Sequence, residues 1–223
     1  MSYAIAIDGP AGAGKSTIAR ILAKELSLIY VDTGALYRAI GYYMVNNGVS
    51  IEDDAAVIAA LDGVRVSLAH MEGEQRVFVN DEDVSGRIRT PQISMAASRV
   101  SAIPAVRAFL LQLQRDIAAT HSVIMDGRDI GTTILPNAKV KIFLTASPEA
   151  RAERRYKELI EKGETVIFDE VLADMVKRDY DDAHRAASPL RKAQDAIEVD
   201  TGALTLEESV AAMKKVILDN LGE

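Results

Sequence analysis

An α/β fold with a central parallel β-sheet flanked by helices is what this chain predicts, and three observations carry the prediction. Strand-length apolar runs alternate with stretches of helical periodicity, the pattern of βαβ units. A turn with three glycines joins the first of these strands directly to the first helix. The 223 residues, 48% of them apolar, suit one domain over 1–223 enlarged by insertions.

The first strand, Tyr3–Asp8, is an isoleucine-rich run stopped by an aspartate. Gly9, Pro10, Ala11, Gly12, Ala13, Gly14, Lys15, Ser16 and Thr17 follow, laying G-x-x-x-x-G-K-[ST] across the strand–helix junction. A polyphosphate needs several backbone N–H groups converging on its oxygens, and residues without a Cβ let the chain wrap that tightly. The helix behind contributes its positive N-terminal end. Lys15 supplies a charge to the β- and γ-phosphates, and Ser16 a hydroxyl for Mg²⁺. The turn therefore implies use of a nucleoside triphosphate.

Leu28–Asp32 reads as a second strand, with Thr33 as N-cap of a helix running to Asn46–Gly48. A short helical pattern covers 52–62. Alternation in Val64–Leu68 and Arg76–Asn80, with a turn over 71–75, predicts an inserted β-hairpin and a third short strand near Val84. Helices are expected around 92–101 and after Pro104, where proline suits the first helical position. Ser122–Asp126 and Val140–Ala146 are strands, and Ser147-Pro148 opens a helix. A glycine break at 162–164 precedes a long helix over Phe168–Arg185. Ala196–Asp200 is the last strand and Thr205–Leu221 a closing amphipathic helix.

Cysteine is absent, which excludes disulfides and thiolate metal sites. No apolar run approaches the roughly 20 residues of a bilayer span. The chain enters a strand by residue 3 without a basic leader, so a soluble cytoplasmic protein is expected. A net charge of −7 argues against broad nucleic-acid binding. Yet arginines outnumber lysines sixteen to ten, and the guanidinium fork matches phosphate bidentately.

The placement of those arginines is informative. Arg151, Arg154 and Arg155 share one helix face, and Arg178, Asp182 and Arg185 share another. Arg38 follows the second strand, and Arg128 follows the strand ending at Asp126. A parallel sheet can carry all of them to the phosphate loop at the strands' carboxyl ends. Taken singly, they equally fit solvated faces and i, i+4 ladders. Asp126, beside a phosphate loop, suits an acid that holds Mg²⁺ through water. No Asn/Thr-Lys-x-Asp element supports a GTPase, and His70, His121 and His184 stand outside any nucleophile arrangement. A kinase fits better, because scattered arginines can bring two mutually repelling phosphates together.

Ile7–Thr17, Val31–Arg38, Asp126–Thr132 and Lys177–Arg185 together resemble the bacterial cytidylate kinases, in order and over essentially the whole chain. Glu82–Thr90 resembles the extra nucleotide-side segment of that family. The resemblance implies a P-loop kinase with a monophosphate-binding segment inserted at 34–100 and a short lid at 151–168. It implies transfer of the ATP γ-phosphoryl group to CMP or dCMP with Mg²⁺, in pyrimidine metabolism, by a monomer without nucleic-acid or membrane partners. Arg38 and Arg128 are then expected to hold the acceptor phosphate, with Tyr37 beside it. Ser98, Arg107 and Asp129 surround the cytosine, with Thr33 and Arg185 contributing, while Arg178 and Asp182 reach the sugar. Lys15, Arg128 and the lid residues Arg154 and Arg155 form the catalytic set; Ser16 and Asp126 serve the metal. Thr33 stands where a serine is also familiar in the family, and it keeps the hydroxyl. A kinase for another small acceptor, such as UMP or shikimate, and an ATP-binding module without transfer activity are the alternatives.

Overall fold

The structure is a computed structural model describing residues 2–71 and 73–222. In chain order its first elements are β1 (Ala4–Asp8), α1 (Lys15–Glu25), β2 (Ile29–Asp32), α2 (Thr33–Asn46) and α3 (Asp54–Ala60). A small-sheet region follows, with β3 (Val66–Met71), β4 (Glu74–Val79) and β5 (Glu82–Asp83), then α4 (Pro91–Ser101) and α5 (Pro104–Thr120). The chain closes with β6 (Val123–Gly127), β7 (Val140–Thr145), α6 (Pro148–Glu161), α7 (Phe168–His184), β8 (Ile197–Asp200) and α8 (Leu206–Leu221). Glu72, within the expected 71–75 turn, lies outside the described residues.

β1 takes the middle of the sheet because both its faces are apolar: Ile5, Ala6 and Ile7 are fully buried. The strand order is β2-β6-β1-β7-β8, and every pair is parallel. On one face, Ile18 and Leu22 of α1 and Met213 and Ile217 of α8 pack on Ile5, Ile7 and Ile142. On the other, Ala6, Val31 and Met125 meet Ile130 and Ile134. A third cluster joins Leu36, Ile40 and Met44 of α2 to Val77 and Val79 of β4 and to Val100 and Leu110.

Register sets the site. Asp32 lies opposite Asp126, and Asp8 opposite Gly127, so three strand-ending acids gather at one carboxyl edge. Local capping works as the sequence predicts at Ser147, whose hydroxyl accepts from Ala150; Thr205, read only as the start of a helix, forms a capping box with Glu208. It differs at α2. Asp32, not Thr33, is the N-cap, its carboxylate accepting from the Ala35 N–H at 3.0 Å. Thr33 is freed to donate to the Asp126 carbonyl at 2.8 Å, which a residue inside the first helical turn can reach. A π-helical turn over Ile130–Ile134 had no counterpart in the periodicity.

Candidate active site

Gly12 and Gly14 adopt left-handed backbone, with φ of 73° and 88°, and Gly14 is the N-cap of α1. No side chain caps that helix, so its first N–H groups face the open loop. Gly9 is required for another reason: a Cβ there would stand 2.0 Å from the Leu144 carbonyl oxygen. Lys15 is buried and folds back to donate to the Pro10 carbonyl at 2.6 Å. Burial, then the nearby Arg128 charge, hold its ammonium well below the ordinary lysine range. A cation so placed gains from any anion entering the loop.

Ser16 donates to Asp126 at 2.8 Å, and Tyr30 donates to the other Asp126 oxygen at 2.9 Å. Burial and then the neighbouring Asp32 charge push the Asp126 carboxyl up to about 6. A hydroxyl and a carboxylate this close form an oxygen donor set suited to Mg²⁺, which keeps several waters and takes phosphate oxygens rather than a protein-only cage. Among the described residues there is no cluster of three acids or histidines able to hold a metal alone. The residues present fit the ion in that shared role.

A cleft of about 520 Å³ opens beside the loop. Ala11 through Thr17 line it, together with Thr33, Tyr37, Arg38, Ser98, Arg107, Asp126, Arg128, Asp129, Arg154, Arg155, Arg178, Asp182 and Arg185. Of the residues singled out in the sequence, Gly9 and Pro10 do not line the cleft. The cations are shared out by acids. Arg38 pairs with Asp32 at 2.7 Å, and Arg128 with Asp182 at 2.9 Å. Burial would raise the Asp182 carboxyl, but Arg128, Arg178 and Arg185 together draw it below its usual value.

At the far end Arg107 donates to Asp129, and Arg185 approaches the other Asp129 oxygen at 3.5 Å. The Arg107 guanidinium also lies 5.4 Å from the centre of the Tyr37 ring, a cation–π contact. Ser98 lines the same end. A buried carboxylate between two guanidiniums thus sets hydrogen-bond acceptors and donors side by side on the cleft wall.

The three arginines of α6 divide. Arg151 is buried and binds Asp179 through both its terminal nitrogens, at 3.0 and 2.5 Å, while also donating to the Ala11 and Ala146 carbonyls. It props the phosphate loop against α7, and its sequence neighbours gave no sign of that: the partner lies on another helix. Arg154 donates to the Thr201 carbonyl, and Arg155 pairs with Glu158 at 2.8 Å. Both remain on the cleft wall.

Asp8 is the other residue that sequence reasoning passed over. Its two oxygens accept from the Ile130 and Gly131 N–H groups, each at 2.7 Å, clamping the π turn that follows Asp129. Its place at the end of the central strand was the available signal. Burial pushes the Asp8 carboxyl from 3.8 up to about 6, against the pull of those two N–H groups. Between these values the folded chain binds the proton more tightly than the unfolded one, so the contribution to stability is greatest below pH 4 and is lost as pH rises towards 6. The loss amounts to about 3 kcal/mol. Urea unfolding from pH 4 to 7 is expected to show a shallower fall for Asp8→Asn than for the wild type. Equal slopes would assign the titration elsewhere.

A family model described as cytidylate kinase matches residues 5–218. The cytidylate kinase of Carboxydothermus hydrogenoformans is 51% identical over 213 residues, covering 96% of each chain. That of Ligilactobacillus salivarius is 50% identical over 213 residues, covering 96% of this chain and 95% of its own. Among solved structures, an uncharacterized protein from Eubacterium ventriosum matches with a TM-score of 0.52 at 15% identity, over 100% of this chain and 99% of that one. That last likeness is one of fold.

Proposed function

The chain belongs to the cytidylate kinase family, and from that premise we propose that it transfers the γ-phosphoryl group of ATP to CMP or dCMP, giving ADP and the diphosphate. The observation that carries the reading is that one cleft is lined both by the phosphate loop and by the Asp129–Arg107 pair, with the Arg38, Arg128 and Arg178 guanidiniums on the same wall. In this reading the N–H groups of Gly12–Ser16 and the Lys15 ammonium hold the donor phosphates. Arg38 and Arg128 receive the acceptor phosphate, and Tyr37 lies alongside. Arg178 and Asp182 meet the sugar; Arg154 and Arg155, on a lid at 151–168, reach the transferring group. Mg²⁺, held through Ser16 and Asp126, supplies charge neutralisation at the donor phosphates.

Asp129 reads the base together with Ser98, Arg107, Thr33 and Arg185. A carboxylate accepts from the exocyclic amine of cytosine and repels the O4 acceptor of uracil. No general base is needed, because a phosphate monoester is largely dianionic at neutral pH. Rate comes from alignment, charge neutralisation and exclusion of water on closure. Segment 34–100, with its own small sheet, forms the acceptor side. Among the described residues no single helix is long and apolar enough to cross a membrane. The substrates belong to pyrimidine metabolism in the cytoplasm, where we place the enzyme.

ADP release measured with CMP, dCMP, UMP and shikimate in turn tests the proposal. Turnover with the cytidine acceptors and little with the others is expected. Equal rates with CMP and UMP would overturn the base-reading assignment, and ATP binding without acceptor-dependent turnover would overturn the transfer itself.

A further inference from the structure

β2 is one of the two edges of the main sheet, and side chains of the small-sheet region reach it. Gln75 of β4 accepts from the Asp32 N–H at 2.8 Å and donates to the Asp32 carbonyl at 3.3 Å. His70, directly opposite Gln75 in the β3–β4 pairing, donates through Nε2 to the Tyr30 carbonyl at 2.9 Å. Residues 30 and 32 present their backbone groups to the same side of the strand, so this pair of side chains occupies places where a sixth strand would bond.

Gln75 is out of pattern for its strand. Positions 75, 77 and 79 share one face of β4, and Val77 and Val79 are buried in the apolar cluster. A half-buried amide on that face must be satisfied, and among the described residues the Asp32 backbone satisfies both its ends. Asp32 in turn uses its carboxylate to cap α2 and to hold Arg38 at 2.7 Å, with Arg89 at 3.6 Å. The Arg38 Nε is buried without a hydrogen-bond partner, so Asp32 is what orients that guanidinium.

We propose that Gln75 is a positioning residue for the acceptor phosphate: by bracketing the Asp32 main chain, it fixes the carboxylate that aims Arg38 into the cleft. The inference rests on the acceptor-phosphate role of Arg38 given above. It links the hairpin to the reaction through one amide, some distance from any substrate atom. Its effect is confined to the acceptor, because the phosphate loop is held by Arg151 at the Ala11 carbonyl and by the start of α1 instead.

Calorimetric titration of CMP and of ATP into wild type, Gln75→Leu, Arg38→Ala and the double variant tests this. Gln75→Leu is expected to raise the Kd for CMP about fivefold to tenfold while the Kd for ATP moves less than about twofold, the scale of a lost hydrogen bond. In the Arg38→Ala background the same change should add less than about twofold, since its route of action is gone. Gln75→Glu, which keeps the acceptor for the Asp32 N–H and sets a charge against the Asp32 carbonyl, carries the same test should the leucine variant fold poorly. An unchanged Kd for CMP, equal weakening of CMP and ATP, or a full effect persisting over Arg38→Ala would each overturn the inference. If Arg38→Ala by itself leaves CMP binding intact, the reading of Arg38 fails and this inference falls with it.

Discussion

Lys15→Ala is expected to lower turnover by about a thousandfold, the scale of losing one preorganised charge from a transition state, with the fold preserved. Structure supplies the reason for both halves of that result. The ammonium is buried and, among the described residues, its one hydrogen bond is to the Pro10 carbonyl, beside the cationic Arg128. The protein's own groups therefore compensate it poorly, and removing it costs the folded chain little. Once donor phosphates occupy the loop, the same burial makes the charge strong, because little water screens it. Steady-state turnover and urea unfolding, measured together, check the prediction. Turnover near the wild-type rate would show that the loop does not hold the transferring nucleotide, and a large loss of stability would show that Lys15 is a structural residue.

Asp129→Asn is expected to narrow the preference for CMP over UMP by about a hundredfold, the upper range for one bidentate base contact. An amide can still accept from the cytosine amine and can also donate to the uracil O4, so the repulsion that rejects UMP disappears. The alanine variant, a natural first choice from sequence alone, is the poorer probe. Asp129 is buried against Arg107 and faces Arg185 at 3.5 Å, and Arg185 Nη2 already lacks a full hydrogen-bond partner. Deleting the carboxylate strands both guanidiniums and is expected to cost about 3–5 kcal/mol. Acceptor kinetics on the asparagine variant, with unfolding of both variants, separate specificity from stability. An unchanged CMP/UMP ratio in Asp129→Asn would count against base reading by this residue.

What could be read from the chain follows the range of the forces involved. The phosphate loop is a local object: glycines at fixed offsets, a lysine and a hydroxyl, all within nine residues of one another. The cap at Ser147 is likewise local and came out as read. Thr33 shows the limit of local reading. Asp32 and Thr33 are both good N-caps, and the choice fell to Asp32 because the Thr33 hydroxyl has a better use at the Asp126 carbonyl, 93 residues away. The π turn at Ile130–Ile134 was illegible for the same reason. It is held by Asp8, at the end of the neighbouring strand β1 and more than 120 residues away in the chain.

The amino-acid order alone determined the succession of strands and helices, the phosphate loop, and which residue types would have to meet. Only the tertiary structure decided which arginine each acid would hold: Arg151 bound to Asp179 as a strut, Arg154 and Arg155 left on the cleft wall, Arg107 and Arg185 shared by Asp129. The physical reason is that periodicity and turn chemistry act between chain neighbours, whereas ion pairs and hydrogen bonds act over a few ångströms of space between segments the chain keeps far apart.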